Sequence, residues 1–326
     1  MHTVSTNKHN MNLITILGPT AGGKTSFAAN LAHELGTDII SADSRQVYRG
    51  MDIGSGKDVG DYVVDGKPVK CHLIDILDAG EKYNVFRYQK DFFDVFTQIR
   101  AAGRTPIMCG GTGLYVEAVI RNYQLVDVPA NPELRARLEN YSLEELKEML
   151  ASMKTLHNTT DTDTKKRAIR GIEIETFIKE NPKIVPTYPK IEPLVFGIKN
   201  PRQIEREKIR IRLEERLRDG MVDEMKSIMA SGVSPEDLIY YGLEYKYVTL
   251  YAIGKMSYEE MFEQLYIAIC QFAKRQMTWF RRMERMGTRI YWIDGQLPME
   301  RKIRFAKDII NHILQTSSHK SATASL

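Results

Sequence analysis

The sequence predicts an α/β fold in which helices flank a mainly parallel sheet and an all-helical domain is inserted into the chain. Three observations support this prediction. Short apolar runs alternate with helix-compatible segments, which is the pattern of strand–helix–strand units in parallel sheets. A glycine-rich loop joins the first apolar run to the first helical segment. The middle of the chain, by contrast, is charged and helical throughout.

Six apolar runs are predicted to form strands, at residues 13–17, 38–42, 72–77, 106–109, 194–198 and 290–293. A helix is predicted at 24–35, and the segment 203–283 is helical again. Residues 13–128 and 194–315 are therefore assigned to the α/β core. Residues 1–12 are polar and lack the apolar stretch of a secretory signal, so we expect a flexible N-terminus. The small polar residues of 316–326 predict a disordered tail.

The helical insertion is predicted at residues 129–193. It contains three charged helical segments, at 132–141, 143–153 and 164–179, and no convincing strand. Four prolines between residues 181 and 193 mark the return of the chain to the core.

Composition and charge exclude several classes of protein. With 43% hydrophobic and 27% charged residues, the chain resembles an ordinary globular protein, and no apolar run reaches the length of a membrane span. Cys71, Cys109 and Cys270 lie far apart without metal-ligand spacing, so we expect reduced thiols in a cytoplasmic protein. The net charge of +4 does not by itself indicate nucleic acid, but residues 202–218 hold six arginines and one lysine.

The loop after the first strand has the spacing of a phosphate-binding P-loop. It matches the pattern G-x4-G-K-[ST] with the residues Gly18, Pro19, Thr20, Ala21, Gly22, Gly23, Lys24 and Thr25. Glycines allow backbone N–H groups to surround an anion at a helix N-terminus. Lys24 adds a positive charge, and the Thr25 hydroxyl suits Mg²⁺. The loop predicts binding of a di- or triphosphate without specifying which one.

A carboxylate and a second glycine turn are expected close to this loop. Asp43 follows the second predicted strand, and Thr112 follows the strand that ends at Cys109. The carboxyl ends of parallel strands meet at the ligand edge of a sheet. Asp43 could hold Mg²⁺ through water, accept a proton from a nucleophile, or cap a helix, and Thr112 could bond a ligand or cap a helix. Spacing alone leaves these alternatives open.

Taken in order, the segments 18–25, 43–57, 73–77, 110–115 and 274–281 resemble the tRNA dimethylallyltransferases, also called tRNA isopentenyltransferases. The resemblance extends over residues 13–294. It implies a P-loop NTPase-like core that transfers a dimethylallyl group from dimethylallyl diphosphate to a tRNA partner. The acceptor in this family is N6 of adenosine 37, in the anticodon loop of tRNAs that read codons beginning with U. We expect Mg²⁺ as the cofactor and a monomeric chain.

The resemblance also assigns roles to individual residues. The loop 18–25 would hold the diphosphate, and Asp43 would act as the base, with Lys24 and Thr112 completing the catalytic set. Arg212 is a candidate clamp on the diphosphate from the basic helix, with Arg210 and Arg216 as alternatives. The expected tRNA contacts are Asp43, Ser44, Arg45, Gln46, Thr112, Arg135, Lys166, Arg167, Arg170, Lys274, Arg275, Gln276, Thr278, Trp279 and Arg281.

The C-terminal helical segment supports an RNA surface independently of the resemblance. An apolar stripe recurs every three or four residues, at Tyr266, Ile269, Cys270, Ala273, Met277 and Phe280. Basic residues lie beside this stripe, which is the arrangement of a helix with one buried face and one basic face. Trp279 could either fill the core or stack on a base.

Two segments depart from the family pattern. The family continues Asp-Ile-Gly with Thr-Ala-Lys-Pro, and this chain instead has Ser55, Gly56, Lys57 and Asp58. The family's Gly-Tyr-Arg becomes Gly242, Leu243 and Glu244, so an acid replaces a base.

Three rival functions share the P-loop. They are a small-molecule kinase, an adenylate isopentenyltransferase that acts on free nucleotide, and a non-catalytic RNA-binding NTPase. The helical insertion and the basic segment 274–281 favour tRNA as the substrate over the first two. The third would hydrolyse ATP and would not need a base at Asp43.

Overall fold

The computed structural model describes residues 11–154, 162–182 and 186–322, with side chains described up to residue 316. The chain divides into two compact units, one formed by Met1–Asn122 with Lys190–Leu326 and the other by Tyr123–Pro189. The second unit thus begins and ends slightly earlier than the predicted insertion at 129–193.

The larger unit is built on a six-stranded parallel sheet. In chain order the strands of this unit are β1 (Leu13–Leu17), β2 (Ile39–Ser41), β3 (Val63–Val64), β4 (Lys67–Pro68), β5 (Cys71–His72), β6 (Ile107–Gly110), β7 (Pro193–Lys199) and β8 (Ile290–Asp294). β3 and β4 form a separate hairpin, and the order in the main sheet is β5-β2-β6-β1-β7-β8. The predicted α/β class with a mainly parallel sheet is confirmed.

Helices cover the sheet and account for most of the remaining chain. In the larger unit they are α1 (Lys24–Leu35), α2 (Val85–Ala101), α3 (Gly113–Ile120), α7 (Arg202–Arg218), α8 (Met221–Ala230), α9 (Pro235–Tyr240), α10 (Leu243–Ala252), α11 (Tyr258–Arg285) and α12 (Met299–Ala322). The smaller unit contains α4 (Pro132–Leu138), α5 (Leu143–Met153) and α6 (Lys165–Glu180), and none of its described residues is in a strand. No helix within the described ranges is long and apolar enough to cross a bilayer.

β1 lies in the middle of the sheet, and all five of its residues are buried. A parallel strand covered by helices on both faces has no solvent side, so a continuous apolar run is what this position requires. Phe27 of α1 packs edge-on against Phe196 of β7 with ring centroids 6.5 Å apart. The P-loop leaves this core at the carboxyl end of β1 and leads directly into α1, as the sequence predicts.

Of the predicted strand at 72–77, only His72 belongs to a strand, and Leu77 forms an isolated parallel bridge with Tyr48. β5 ends at His72, and Leu73 and Asp75 have φ values of 62° and 54°, which no strand accommodates. The Asp75 carboxylate instead pairs with the buried ammonium of Lys57. The apolar run is thus interrupted at Asp75, whose carboxylate is paired with Lys57.

The described residues nearest the core in each predicted flexible terminus are ordered. Met11 packs against the core, and the Asn12 side chain donates to the Lys190 carbonyl at 2.8 Å, while residues 1–10 lie outside the described part of the chain. The tail expected to be disordered from residue 316 is helical as far as Ala322, and 323–326 are outside the description. The apolar spacing of Ile309, Ile310 and Ile313, which contact the core, carries α12 past the predicted boundary.

Candidate active site

A cavity of about 610 Å³ opens at the carboxyl edge of the sheet. Its walls combine the P-loop, the chain segments after β2 and β6, and the helices α7, α10 and α11. The predicted site residues that line it are Thr20, Lys24, Thr25, Asp43, Ser44, Arg45, Gln46, Thr112, Arg212, Arg275, Gln276 and Trp279. The fold thus brings together residues that lie more than 250 positions apart in the chain.

The P-loop is wrapped tightly around the position that an anion would take. Gly18 has a φ of 154°, and a Cβ there would lie 2.5 Å from the Ile198 carbonyl oxygen, so only glycine fits. Lys24 Nζ donates to the Pro19 carbonyl across the loop at 2.8 Å. Burial lowers the pKa of Lys24, as does the charge of Arg212, whereas Asp43 raises it. The ammonium is thus poorly solvated and ready for an anionic partner.

Gln276 joins the P-loop to the second glycine turn. Its side-chain oxygen accepts from the Thr20 backbone N–H at 2.8 Å, and its Nε2 donates to the Gly111 carbonyl at 2.8 Å. The residue is only 7% exposed, and both ends of its amide are occupied by protein. Its contact with tRNA stays a prediction, and the position it holds in the structure is that of a brace.

Asp43 lines the cavity and stabilises a turn. Its Oδ1 accepts from the Arg45 backbone N–H at 2.8 Å, and its Oδ2 makes no hydrogen bond within the described residues. The chain after Asp43 forms bends and turns, so the helix-cap alternative for this residue is wrong. One carboxylate oxygen is therefore left for a ligand.

Thr112 stands at the start of α3, yet its side chain does not cap that helix. Its Oγ1 instead accepts from the Ser44 backbone N–H at 3.2 Å and lies 3.5 Å from Ser44 Oγ. The threonine thereby fixes the segment that carries Asp43. Burial mainly raises the pKa of the neighbouring Cys109 to about 12, with Lys24 opposing, so this thiol stays protonated.

Two arginines of α7 line the cavity beside the P-loop. Arg212 Nη2 lies 2.6 Å from Asp58 Oδ2, and Arg216, with 12% of its side chain exposed, lies 3.8 Å from the same oxygen. Two nitrogens of Arg216, Nε and Nη2, are buried and make no hydrogen bond within the described residues. Arg210, the other alternative, pairs with Glu214 and lies over the Phe262 ring at 5.2 Å.

The departures from the family pattern converge on Arg216. A Cβ at Gly56, whose φ is 68°, would lie 1.9 Å from Arg216 Nη2, so the guanidinium occupies the space that a methyl group would need. Glu244 lines the same cavity, where burial raises its pKa and Arg216 lowers it. The sequence pattern offers Arg216 only as an alternative to Arg212. The feature of the sequence that points to Arg216 is the glycine at position 56, which leaves room for its guanidinium.

The exposed and buried faces of α11 follow the predicted stripe. Tyr266, Ile269, Ala273 and Phe280 are buried, whereas Lys274, Arg275, Thr278 and Arg281 are exposed. Of these four polar residues, only Arg275 lines the cavity.

Trp279 is half-buried and lines the cavity. A Cβ at Gly113 would lie 2.6 Å from the indole, and the Arg282 guanidinium lies over the ring at 4.6 Å. The tryptophan therefore packs in the wall and keeps part of its surface toward the cavity.

In the smaller unit, the predicted tRNA contacts are held by acids. Arg135 and Arg170 both pair with the buried carboxylate of Glu173, and Arg167 lies 2.6 Å from Asp163. Lys166 is exposed. Although burial opposes it, hydrogen bonds from Arg135, Asn131 and Arg170 bring the pKa of Glu173 down to about 2.

Glu173→Gln is expected to destabilise the smaller unit by about 3 kcal/mol, since a pKa lowered from 4.5 to about 2 corresponds to that order of free energy. The contribution is present above pH 4.5 and is lost as pH falls toward 2. Hydrogen exchange of residues 123–189 in the full chain measures it. Glu180→Gln, on the exposed end of the same helix, is the control and should change little.

Comparison with known proteins gives consistent matches along the whole chain. A family model described as IPP transferase matches residues 46–283, and one described as isopentenyl transferase matches residues 11–66. The chain is 61% identical over 302 residues to tRNA dimethylallyltransferase 1 of Parabacteroides distasonis, covering 93% of this chain and 98% of that relative. It is 59% identical over 295 residues to tRNA dimethylallyltransferase 2 of Bacteroides fragilis, covering 90% and 96%.

Solved structures agree with these relatives. The full-length tRNA isopentenylpyrophosphate transferase of Bacillus halodurans superimposes with a TM-score of 0.70 at 30% identity, covering 96% of this chain and 100% of that one. A eukaryotic dimethylallyltransferase acting on tRNA, at 19% identity, shares the fold with a TM-score of 0.72.

Proposed function

Because this chain belongs to the tRNA dimethylallyltransferase family, we propose that it transfers a dimethylallyl group to N6 of adenosine 37 in tRNAs that read codons beginning with U. The donor is dimethylallyl diphosphate. The observation that carries the proposal is that one cavity joins the P-loop to Asp43 and to an apolar wall that includes Leu243 and Ile269. Its volume of about 610 Å³ suits a small ligand together with an extruded base.

The diphosphate would lie in the P-loop and be neutralised from two sides. Backbone N–H groups at the start of α1 and the Lys24 ammonium would contact it from the P-loop. The α7 residues Arg212 and Arg216, which line the same cavity, would add positive charge. An allylic C–O bond breaks readily once charge on the leaving group is stabilised. These residues therefore supply most of what the first bond-breaking event requires.

Asp43 would accept the proton that leaves the adenine amine. Its Oδ2 has no protein partner among the described residues, while Oδ1 is fixed by the Arg45 N–H. A base must lie within hydrogen-bond reach of the proton it removes, and a carboxylate fixed by one oxygen meets that requirement with the other. Thr112 and Ser44 would keep this segment in place during the reaction.

Mg²⁺ would be held at Thr25 and would supply further positive charge to the diphosphate. Thr25 lines the cavity, and its hydroxyl makes no hydrogen bond to another described residue. Mg²⁺ keeps several waters and binds through one or two protein oxygens plus phosphates, so a single hydroxyl is an adequate protein ligand.

Thr25→Val is expected to raise the Mg²⁺ concentration needed for half-maximal activity by about tenfold, the loss expected for one removed ligand interaction of about 1.4 kcal/mol. Binding of inorganic pyrophosphate, measured by calorimetry with and without Mg²⁺, gives a second readout. Thr25→Ser keeps the hydroxyl and should behave like the wild type. An unchanged Mg²⁺ dependence in the valine variant would contradict the assignment of the metal to Thr25.

One assay tests the function as a whole. The protein is incubated with labelled dimethylallyl diphosphate, Mg²⁺ and hypomodified tRNA, and the tRNA is digested to nucleosides. We expect N6-prenyladenosine only in tRNAs that read codons beginning with U. Prenylated free nucleotide, phosphorylated small molecules or ATP hydrolysis alone would instead support one of the rival functions.

We further propose that a single chain acts on tRNA in the cytoplasm. The P-loop, Asp43 and Arg212 of one chain line the same cavity. Light scattering during size-exclusion chromatography, with activity measured across the peak, tests this point.

A further inference from the structure

Two aromatic rings of the larger unit are exposed, one in the cavity wall and one in a chain segment that contributes to that wall. We define the cavity mouth by the exposed lining residues Leu114, Phe272 and Arg275. Phe272 of α11 is 39% exposed, and Tyr240 at the end of α9 is 70% exposed. Ile239, directly before Tyr240, and Gly242, two residues after it, both line the cavity. Exposed apolar side chains grouped at a ligand cavity, unlike ones scattered singly over a surface, mark a site of contact.

Tyr240 is held firmly although its own side chain is exposed. Its ring lies edge-on to Tyr241 at 6.3 Å. The Tyr241 hydroxyl accepts from the Gly80 N–H at 2.6 Å and donates to the Glu81 carbonyl at 3.0 Å, and this residue is 3% exposed. An exposed ring on a fixed support loses little entropy when a planar ligand covers it.

A cation lies over the Phe272 ring, and another lies beside the chain segment that carries Tyr240. The Arg275 guanidinium lies over the Phe272 ring at 5.9 Å. The Arg45 side chain covers Gly242, where a Cβ would lie 3.3 Å from its Nε. Rings paired with cations fit single-stranded nucleic acid, whose bases stack on aromatic faces and whose phosphates need positive charge.

We propose that Tyr240 and Phe272 stack on the unpaired nucleotides adjacent to the target adenosine. When an adenine leaves the RNA loop to enter the cavity, the adjacent bases lose a stacking partner. An aromatic side chain close to the cavity can take the place of that adenine in the stack. This inference rests on the proposed function and adds to it two contacts with the RNA loop.

The first test measures steady-state kinetics on an anticodon stem-loop. Tyr240→Ala and Phe272→Ala should each raise KM for the RNA about tenfold, the typical effect of one lost base–aromatic stack. KM for dimethylallyl diphosphate and kcat at saturating RNA should stay unchanged. Tyr240→Phe and Phe272→Tyr keep the ring and should have the KM of the wild type for the RNA. A raised KM in Tyr240→Phe would instead indicate a role of the Tyr240 hydroxyl.

Tyr258→Ala is the matched control, since Tyr258 is 43% exposed on the first turn of α11 and neither it nor its chain neighbours Ser257 and Glu259 line the cavity. Circular dichroism and binding of inorganic pyrophosphate confirm that each variant is folded. An unchanged KM for RNA in both alanine variants, or an equal loss in Tyr258→Ala, would overturn the inference.

The second test identifies the stacked nucleotide. Fluorescence anisotropy measures the affinity of the wild type and of Tyr240→Ala for stem-loops that carry an abasic site on the 5′ or the 3′ side of the target adenosine. If the Tyr240 ring stacks on the base that is removed, the abasic site and Tyr240→Ala together weaken binding by less than the sum of their separate effects on the binding free energy. Additive effects at both the 5′ and the 3′ position would overturn the stacking. Anisotropy does not require turnover, so a failure of prenyl transfer would count against the proposed function alone.

Discussion

Asp43→Ala is expected to lower kcat for prenyl transfer by about 10²–10⁴-fold, the usual contribution of a general base, while donor binding is retained. The expectation follows from the free Oδ2 in the cavity and from the absence of any helix for this residue to cap within the described chain. Single-turnover transfer to tRNA, with donor affinity measured separately by calorimetry, distinguishes loss of chemistry from loss of binding.

Asp43→Asn is the informative companion to the alanine variant. Its side-chain oxygen can still accept from the Arg45 N–H, which Asp43 does at 2.8 Å, so the turn is preserved while the base is removed. Both variants should therefore be equally inactive. If asparagine restores activity, the residue holds the turn and the proton leaves by another route.

Gly56→Ala is expected to weaken binding of dimethylallyl diphosphate by about 10–100-fold, corresponding to about 1.4–2.7 kcal/mol, because the added methyl group displaces Arg216 from the cavity wall. A Cβ there would lie 1.9 Å from Arg216 Nη2. Left-handed backbone geometry adds a cost of about 1–2 kcal/mol for alanine, which acts on stability.

Gly50→Ala separates these two effects. Gly50 has the same φ of 68°, and a Cβ there would meet no described atom within 4 Å, so its alanine variant suffers the backbone cost without the collision. It should lower thermal stability and leave the donor KM unchanged. An equal rise in donor KM in both variants would show that Arg216 has no part in the effect.

The sequence identifies local features well because they depend on near neighbours. The bounds of α1 and β1 follow from a P-loop flanked by apolar residues, and the structure places them at Lys24–Leu35 and Leu13–Leu17 as predicted. The edge at which Asp43 and Thr112 meet also follows from parallel topology. These predictions needed only periodicity and the rule that parallel strands end at a common edge.

Features that depend on distant partners were missed. The turn at Leu73 and Asp75 depends on Lys57, and the bracing role of Gln276 depends on backbone groups 256 and 165 positions away. Glu244 looked like the simple loss of a base, because nothing in its surroundings along the chain shows that Arg216 shares its cavity. Pairings of this kind are set by packing and leave no periodic trace.

The position of Gln276 has a consequence for how the two substrates influence each other. The helix that carries exposed Lys274 and Arg275 also fixes Thr20 and Gly111 through one amide, at 2.8 Å on each side. A shift of α11 on RNA binding would reach the phosphate loop through these bonds. Thermodynamic reciprocity then requires that, if bound tRNA changes the affinity for the donor by some factor, the bound donor changes the affinity for tRNA by the same factor. Gln276 is thus the residue at which cooperativity between the two substrates would be gained or lost.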